Sequence, residues 1–308
     1  MMELLELIEE RLIEELKPEV KPVLEAGEYL IKGGGKRIRP LITSLACGMC
    51  GGDPKSAIPL GVGIEYIHAA SLLHDDVVDK AESRRGKTSA NIVFGNGIAV
   101  LTGDYMYAKA LSMFAVYGNL LMIKIVSRAV MEMAQAQVLE LSKIGKIIDE
   151  KTYLTIIDGK TSSLFGASFA VGGLKANWED WEVLYRIGLS IGRAFQLIDD
   201  VLDYEGNPEK LGKPVGNDLK EGKVTYPLIS VMDKISREFV EKVINRKTSE
   251  EGIENLRRMV IKLGGTENTK KFAKMEINNA MKLLNKFPKN EYRDKLMEIL
   301  HFIIKREL

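Results

Sequence analysis

The chain has 308 residues, 45% of them hydrophobic and 28% charged, a globular composition long enough for one large domain or two ordinary ones. Its formal net charge is +1, so no global field draws it to nucleic acid or an anionic membrane, and affinity for anions must come from local clusters.

The N-terminal stretch MMELLELIEERLIEELK carries an acidic residue at nearly every turn. A signal peptide wants a basic start and an unbroken apolar run, and a transit peptide avoids acids. No stretch approaches the roughly 20 apolar residues that span a bilayer. These features predict a cytoplasmic protein without a transmembrane segment. Helical periodicity then runs almost from end to end, around 5–15, 55–80, 97–116, 151–172, 180–204 and 269–305. Within 122–141, Met122, Val126, Val130, Met133, Gln137 and Leu141 recur at spacings of three or four. No alternating strand stands out, and no Asn-Gly or Asp-Gly turn joins alternating runs.

Proline and glycine punctuate this pattern. Pro40 follows a Gly-rich segment, Pro54 follows a candidate N-cap at Asp53, and Pro208 and Pro214 share one loop. Pro59 and Pro227 are expected to kink helices near their first turns. Breakers gather at 33–35, 51–54, 172–177, 206–217 and 264–265 without a long linker or a fixed repeat. The expectation is one all-α domain whose lysine-richer tail, about 237–308, forms peripheral helices. Cys47 and Cys50 make a single C-x-x-C with the three histidines elsewhere, which reads as two thiols in an apolar helix. The 13 methionines read as core filler.

Chemistry concentrates in a few segments. AASLLHDDVVD (69–79) and AFQLIDDVLD (194–203) are apolar helices that abruptly carry D-D-x-x-D. Residues four apart share a helix face, so Asp75 lies one turn from Asp79, and Asp199 one turn from Asp203. Like charges at that spacing are destabilising, and apolar surroundings worsen the cost. A hard cation such as Mg²⁺ reverses the sign, because it prefers carboxylate, water and phosphate oxygens. One such motif is weak, but two in apolar settings are hard to read as solvated surface. Cations complement them: GGGKRIRP (33–40) sets Lys36, Arg37 and Arg39 at a helix start, and Arg84-Arg85-Gly86 follows the first acidic motif. More lie in Asp158-Gly159-Lys160-Thr161 and in LGKPVGNDLKEGKVTYP (211–227), where Lys213 and Lys223 have glycines beside them. His74 adjoins Asp75, but Mg²⁺ selects oxygen over imidazole, so a packed or hydrogen-bonded histidine is expected.

At these residues the chain resembles the trans-isoprenyl diphosphate synthases, or polyprenyl synthetases. The matching strings are GGGKRIRP, IHAASLLHDDVVDKAESRRGK, GDYMYAKAL, GKTSSLF and FQLIDDVLDYEGNPEKLGKPVGNDLKEGKVTYPL, in the family's order over roughly residues 30–230. Thr88 departs from the proline many members carry after RRGK or RRGR, which touches only a local loop. The C-terminal third carries no matching motif.

The resemblance implies a single helical bundle of the isoprenoid synthase type with a central substrate cavity, a homodimer, and isoprenoid diphosphates as small-molecule partners. It implies Mg²⁺ as cofactor, held by Asp75, Asp79 and Asp199 with Asp203 in the metal set; Asp76, Asp200 and Asp203 act from behind or through water. The allylic diphosphate falls to Arg84, Lys160, Thr161, Gln196, Lys213 and Lys223, and isopentenyl diphosphate to Lys36, Arg39, His68 and Arg85. Asp75, Asp79, Asp199, Lys160 and Lys213 are the implied catalytic groups. Ala70 and Ser71, five and four residues before Asp75, are small where an aromatic would limit the product to C15 or C20, so a product of C25 or longer is expected. Close packing with a floor elsewhere, at Tyr66, Tyr105, Met106 or Tyr107, would instead give a farnesyl or geranylgeranyl product. A class I terpene cyclase would not need GGGKRIRP, and a non-catalytic partner subunit would be expected to have lost aspartates.

Overall fold

The structure, a computed structural model, describes residues 1–206 and 215–305. Among the described residues it is all-α apart from one short hairpin. The chain divides into two compact units, the first made of Met1–Val130, Ala167–Tyr185 and Phe287–Leu296, the second of Met131–Gly166, Arg186–Lys286 and Met297–Leu308.

In the first unit, α1 (Met2–Glu15) buries Leu4, Ile8 and Leu12, a four-residue spacing that keeps one stripe on the core. Next come α2 (Lys21–Lys32), α3 (Ile38–Met49), α4 (Ile58–Val78), α5 (Ala90–Phe94) and α6 (Asn96–Tyr117). α4 packs along α6 and α3. Close approach to α3 requires a residue without a side chain: a Cβ on Gly61 would lie 2.9 Å from the Pro40 Cα. On the α6 side, a Cβ on Gly103 would lie 2.4 Å from His74 Nε2. His74 donates from Nε2 to the Val100 carbonyl at 3.0 Å, so its imidazole is packed and hydrogen-bonded on α6.

Two details refine the sequence expectations here. Pro54–Val78 is, by length and composition alone, long and apolar enough to cross a membrane, but 72% of its most apolar window is buried inside the fold, as in a core helix. A hairpin also exists: β1 (Ser83–Arg84) pairs antiparallel with β2 (Lys87–Thr88). Its turn residues Arg85 and Gly86 have φ of 53° and 75°. Positive φ at both central positions is the geometry that suits a two-residue hairpin turn. Arginine in place of asparagine or aspartate, and strands only two residues long, gave no alternating pattern to read.

α7 (Leu120–Lys143), α9 (Ser163–Lys175) and α10 (Trp181–Glu205) contribute residues to both units. In the second unit Asp149 caps α8 (Glu150–Ile157) by accepting from the Thr152 amide at 2.9 Å. α8 passes into a π turn, Asp158–Ser162, closed by the Ser163 amide on the Asp158 carbonyl. α10 meets the backbone there: a Cβ on Gly188 would lie 2.3 Å from the Phe165 carbonyl oxygen, and one on Gly192 would lie 2.4 Å from the Ser162 Cα. Two glycines one turn apart let α10 lie directly on the segment that carries Lys160 and Thr161.

The remaining helices are α11 (Asn217–Glu221), α12 (Tyr226–Ile229), α13 (Arg237–Ile244), α14 (Glu250–Lys262), α15 (Gly265–Leu284) and α16 (Glu291–Lys305). Pro59 and Pro227 sit in the first two positions of α4 and α12, where the missing N–H would have no helical partner. No kink is therefore needed. Val240, Val243, Leu256 and Val260, from the tail after 236, share one core with Tyr204, Leu219 and Leu228.

Candidate functional site

The first unit gathers guanidinium groups. Arg37 caps the start of α3 with φ of 47°, a left-handed conformation that a non-glycine residue adopts at a cost. Its partners hold it there: Nε donates to Glu9 at 2.8 Å, Nη1 to Glu65 at 3.1 Å and Nη2 to the Ile31 carbonyl at 2.5 Å. Gly35 brings a second guanidinium close, since a Cβ there would lie 2.9 Å from Arg37 Nη1 and 3.1 Å from Arg85 Nη1. Burial, with Arg85 nearby and Glu65 opposing, pushes Arg39 down to about 10. Arg85 is also lowered, by burial first and then by Arg37 and Arg84. Half-buried His68 lies among these charges, and burial followed by Arg39, Arg85, Arg84 and Arg37 drives it well below its usual range. It is a neutral imidazole able to donate one N–H at ordinary pH. Four guanidiniums beside three carboxylates, Glu9, Glu65 and Asp76, leave an excess of positive charge that an anion would relieve.

The carboxylates of the same unit end α4. Asp75 is half-buried, Asp76 fully buried and Asp79 exposed at the C-cap. Negative charge at a helix C-terminus opposes the macrodipole, so this cluster is unfavourable without a cation. Asp76 is largely spoken for: Arg84 donates to its Oδ1 from Nε at 2.7 Å and from Nη2 at 2.6 Å. Burial nevertheless raises the Asp76 carboxyl, with Arg84 opposing. Its Oδ2 is buried without a hydrogen-bond partner among the described residues. A cavity of about 20 Å³, lined by Asp76, Arg84 and Arg85 among others, has room for one water. Ala70 is fully buried on α4, and the Ser71 hydroxyl donates to the His68 carbonyl at 2.8 Å.

In the second unit Asp199, Asp200 and Asp203 lie in the last turns of α10, again at the negative end of a helix. Asp200 is buried and accepts from the Tyr153 hydroxyl at 2.5 Å and from Gln196 Nε2 at 3.0 Å. Burial pushes its carboxyl up to about 7, with Asp199 and Asp203 adding to the rise and the two hydrogen bonds opposing it. Thr161 donates to Gln196 Oε1 at 2.9 Å, so Thr161, Gln196 and Asp200 form a chain. Asp203 accepts from the amides of Asn217 and Asp218 at 3.2 and 3.1 Å, which makes it an anchor for α11. Lys160 donates to Glu140 Oε2 at 2.5 Å. Lys223 pairs with Glu221 at 2.7 Å and approaches the same Glu140 oxygen at 3.9 Å. Burial would lower the Lys223 ammonium, but Glu140, Glu221 and Asp218 outweigh it and hold it above the usual lysine range.

The structure thus brings Arg39, His68, Arg84 and Arg85 together in one unit, and Lys160, Thr161, Gln196 and Lys223 in the other. Lys36 is exposed at the start of the first cluster, and Lys213 lies outside the described residues. No three His, Cys, Asp or Glu side chains among the described residues converge closely enough to hold an ion by themselves. Sequence reasoning missed Glu65, Glu140, Tyr153 and Arg193. Arg193 forks onto Asp158 at 2.6 and 2.7 Å and so pins the π turn to α10. Each is a single residue in an ordinary helical pattern, and no spacing marks it.

A family model described as polyprenyl synthetase matches residues 20–260. The octaprenyl diphosphate synthase of Escherichia coli strain K12 is 37% identical, over 96% of this chain and 94% of that protein. The short chain isoprenyl diphosphate synthase of Methanothermobacter thermautotrophicus is 32% identical, over 98% and 96%. Among solved structures, a polyprenyl synthase from Caulobacter crescentus, crystallised with calcium and isoprenyl diphosphate, superposes with a TM-score of 0.92 at 34% identity, covering 98% of this chain and 94% of that one.

Glu65 gives this geometry a direct test. Its side chain is 7% exposed and that of its partner Arg37 is 6% exposed. Replacing one member of a buried ion pair leaves the other charge uncompensated, so Glu65→Gln should cost about 3 kcal/mol of folding stability. Urea unfolding measures it, and a variant as stable as the parent would contradict Glu65 as the counter-charge of the cluster.

Proposed function

The chain belongs to the polyprenyl synthetase family, and on that premise we propose that it is a Mg²⁺-dependent trans-prenyltransferase that lengthens an allylic diphosphate with isopentenyl diphosphate. One observation carries the site assignment. In each D-D-x-x-D the middle aspartate is buried and engaged by neighbours, Asp76 by Arg84 and Asp200 by Tyr153 and Gln196, while the first aspartate stays half-buried at a helix end. Asp75, Asp79 and Asp199 are then the residues that would hold Mg²⁺, with Asp203 behind them. When bound, the ions supply Lewis-acid stabilisation of charge on the leaving diphosphate.

The chain's own groups do the rest. Arg39, Arg85 and Lys36 bind the diphosphate of isopentenyl diphosphate, with neutral His68 donating an N–H. Arg84, Lys160, Lys213, Lys223, Thr161 and Gln196 bind the allylic diphosphate. As the allylic C–O bond breaks, ammonium N–H groups of the lysines stabilise the charge gathering on the departing oxygen. The isopentenyl double bond forms the new C–C bond, and the proton then lost passes to the released diphosphate. That account needs neither a catalytic triad nor a reactive thiol, and burial raises both Cys47 and Cys50 away from reactivity.

The product is C25 or longer. The 37% relative is named for an octaprenyl product and the 32% relative for short chains, so the residues of this chain carry the assignment. Ala70, which is fully buried, and Ser71 put no aromatic ring on the helix face before Asp75. Tyr66, a candidate floor, is fully buried with its hydroxyl on the Leu12 carbonyl at 2.6 Å, tied to α1. The match of one family model across residues 20–260 supports reading 1–308 as a single polyprenyl synthetase domain. Leu101, Val116 and Leu120 stand 64%, 71% and 85% exposed at α6 and the start of α7, an apolar surface that a homodimer would cover.

Two experiments test this reading. With Mg²⁺, isopentenyl diphosphate and an allylic primer, Asp75→Ala or Asp199→Ala should lower turnover by at least about 10²-fold, the scale for removing one preorganised stabiliser of transition-state charge. Near-normal turnover at saturating substrate would sink the assignment. Ala70 lies about 7.5 Å before Asp75 along the axis, at 1.5 Å per residue. Ala70→Phe should keep the first condensations and shorten the products to C15–C20, as read by chromatographic sizing. An unchanged long product would show that the growing chain does not pass this face of α4.

A further inference from the structure

The two lysines just assigned to the allylic diphosphate already share an anion that belongs to the protein. Lys160 lies 2.5 Å and Lys223 3.9 Å from one oxygen, Glu140 Oε2. An exposed ion pair would be worth little, but this group is largely enclosed: the side chains of Glu140, Lys223 and Lys160 are 18%, 17% and 30% exposed. The helix that carries the carboxylate is fixed by packing. A Cβ on Gly159 would lie 2.6 Å from the Glu132 carbonyl oxygen and 2.7 Å from Ala136 Cβ, so α7 lies directly against the π turn that carries Lys160. Glu140 follows Ala136 by four residues, one turn along that face. Gln137, three residues before Glu140, supplies an independent sign. Both polar atoms of its carboxamide are buried without a hydrogen-bond partner among the described residues. A buried carboxamide left unmatched is costly, and it marks this face of α7 as built towards a polar ligand.

We propose that Glu140 is a positioning residue that acts as a resident counter-charge for Lys160 and Lys223, fixing the two ammonium groups and limiting how tightly they hold a diphosphate. The proposal rests on the assignment of those lysines made above. An ammonium has three N–H donors. Glu140 takes one from Lys160 and leaves the others for the ligand. Its negative charge, one ammonium away from the phosphate oxygens, also repels the diphosphate. Without Glu140, Lys160 would be uncompensated and Lys223 balanced by Glu221 alone, and the pair would hold the released diphosphate longer than turnover allows. Glu221 does not replace Glu140, because it pairs with Lys223 only and is 50% exposed.

The test is calorimetric titration of inorganic diphosphate in Mg²⁺ into the wild type, Glu140→Gln, Glu140→Asp, Lys160→Ala and Lys223→Ala, beside steady-state kinetics. Glu140→Gln keeps an acceptor for Lys160 and removes only the charge. It should bind diphosphate roughly 10-fold tighter, the order expected for removing one nearby like charge. Its kcat should fall by a similar factor as release becomes limiting, with KM for isopentenyl diphosphate unchanged. Glu140→Asp, which keeps the charge, should stay within about twofold of wild type for diphosphate. Diphosphate binding to Glu140→Gln that is equal to or weaker than wild type overturns the proposal. If Lys160→Ala and Lys223→Ala both bind diphosphate as wild type does, the lysine assignment itself falls, and this proposal with it.

Discussion

Carboxylates gathered at the C-terminal end of a buried helix are the constraint on which the rest depends. α4 ends on Asp75, Asp76 and Asp79, and α10 ends on Asp199, Asp200 and Asp203. Each cluster faces three penalties at once: like charges one turn apart, the negative end of the helix dipole, and partial burial. The fold engages the middle aspartate of each motif through side chains, and Asp203 through two backbone amides. Arg84 grips Asp76, and Tyr153 with Gln196 holds Asp200, whose carboxyl still sits near 7. What remains at each helix end is negative charge that a divalent cation would turn from a cost into a gain.

The cationic groups of the two units are built differently, and the difference has chemical meaning. In the first unit, guanidinium groups crowd around a neutral histidine, with Glu65 beneath them. Arginine keeps its charge under such crowding and offers a planar fork, which suits steady binding of a diphosphate that stays bound through the reaction. In the second unit, two lysines share Glu140. Ammonium groups on flexible stems can follow a charge that grows on a leaving oxygen and then let it go.

Much of this was legible in the sequence, because the chemistry repeats or clusters. Two D-D-x-x-D motifs in apolar helices, and GGGKRIRP before a third helix, are patterns no core requires. The carboxylates that balance the cations were not legible. Glu65 lies within α4 and Glu140 within α7, each indistinguishable from a helix-surface glutamate until packing shows what it touches. The hairpin at 83–88 was hidden because Arg-Gly supplied a turn that Asn-Gly would have advertised. Asp203 shared a helix face with Asp199 by spacing, yet the chain returning at Asn217 and Asp218 claims both its oxygens, a tertiary event that periodicity cannot report. Pro59 and Pro227 were expected to kink helices near their first turns, and they sit instead in the first two helical positions, which periodicity does not locate.

The measurement that bears most directly on this account is thermal unfolding of the wild type and of Asp75→Asn/Asp199→Asn, each with and without Mg²⁺ plus inorganic diphosphate. If the aspartate clusters are a cost until a cation arrives, the double variant should melt higher than the wild type without ligand, by about 2–4 °C for each kcal/mol of relieved repulsion in a chain of this size. Ligand should raise the wild-type Tm and leave that of the variant nearly unmoved. A double variant that melts lower than the wild type without ligand, and that gains as much from Mg²⁺ and diphosphate, would contradict the account.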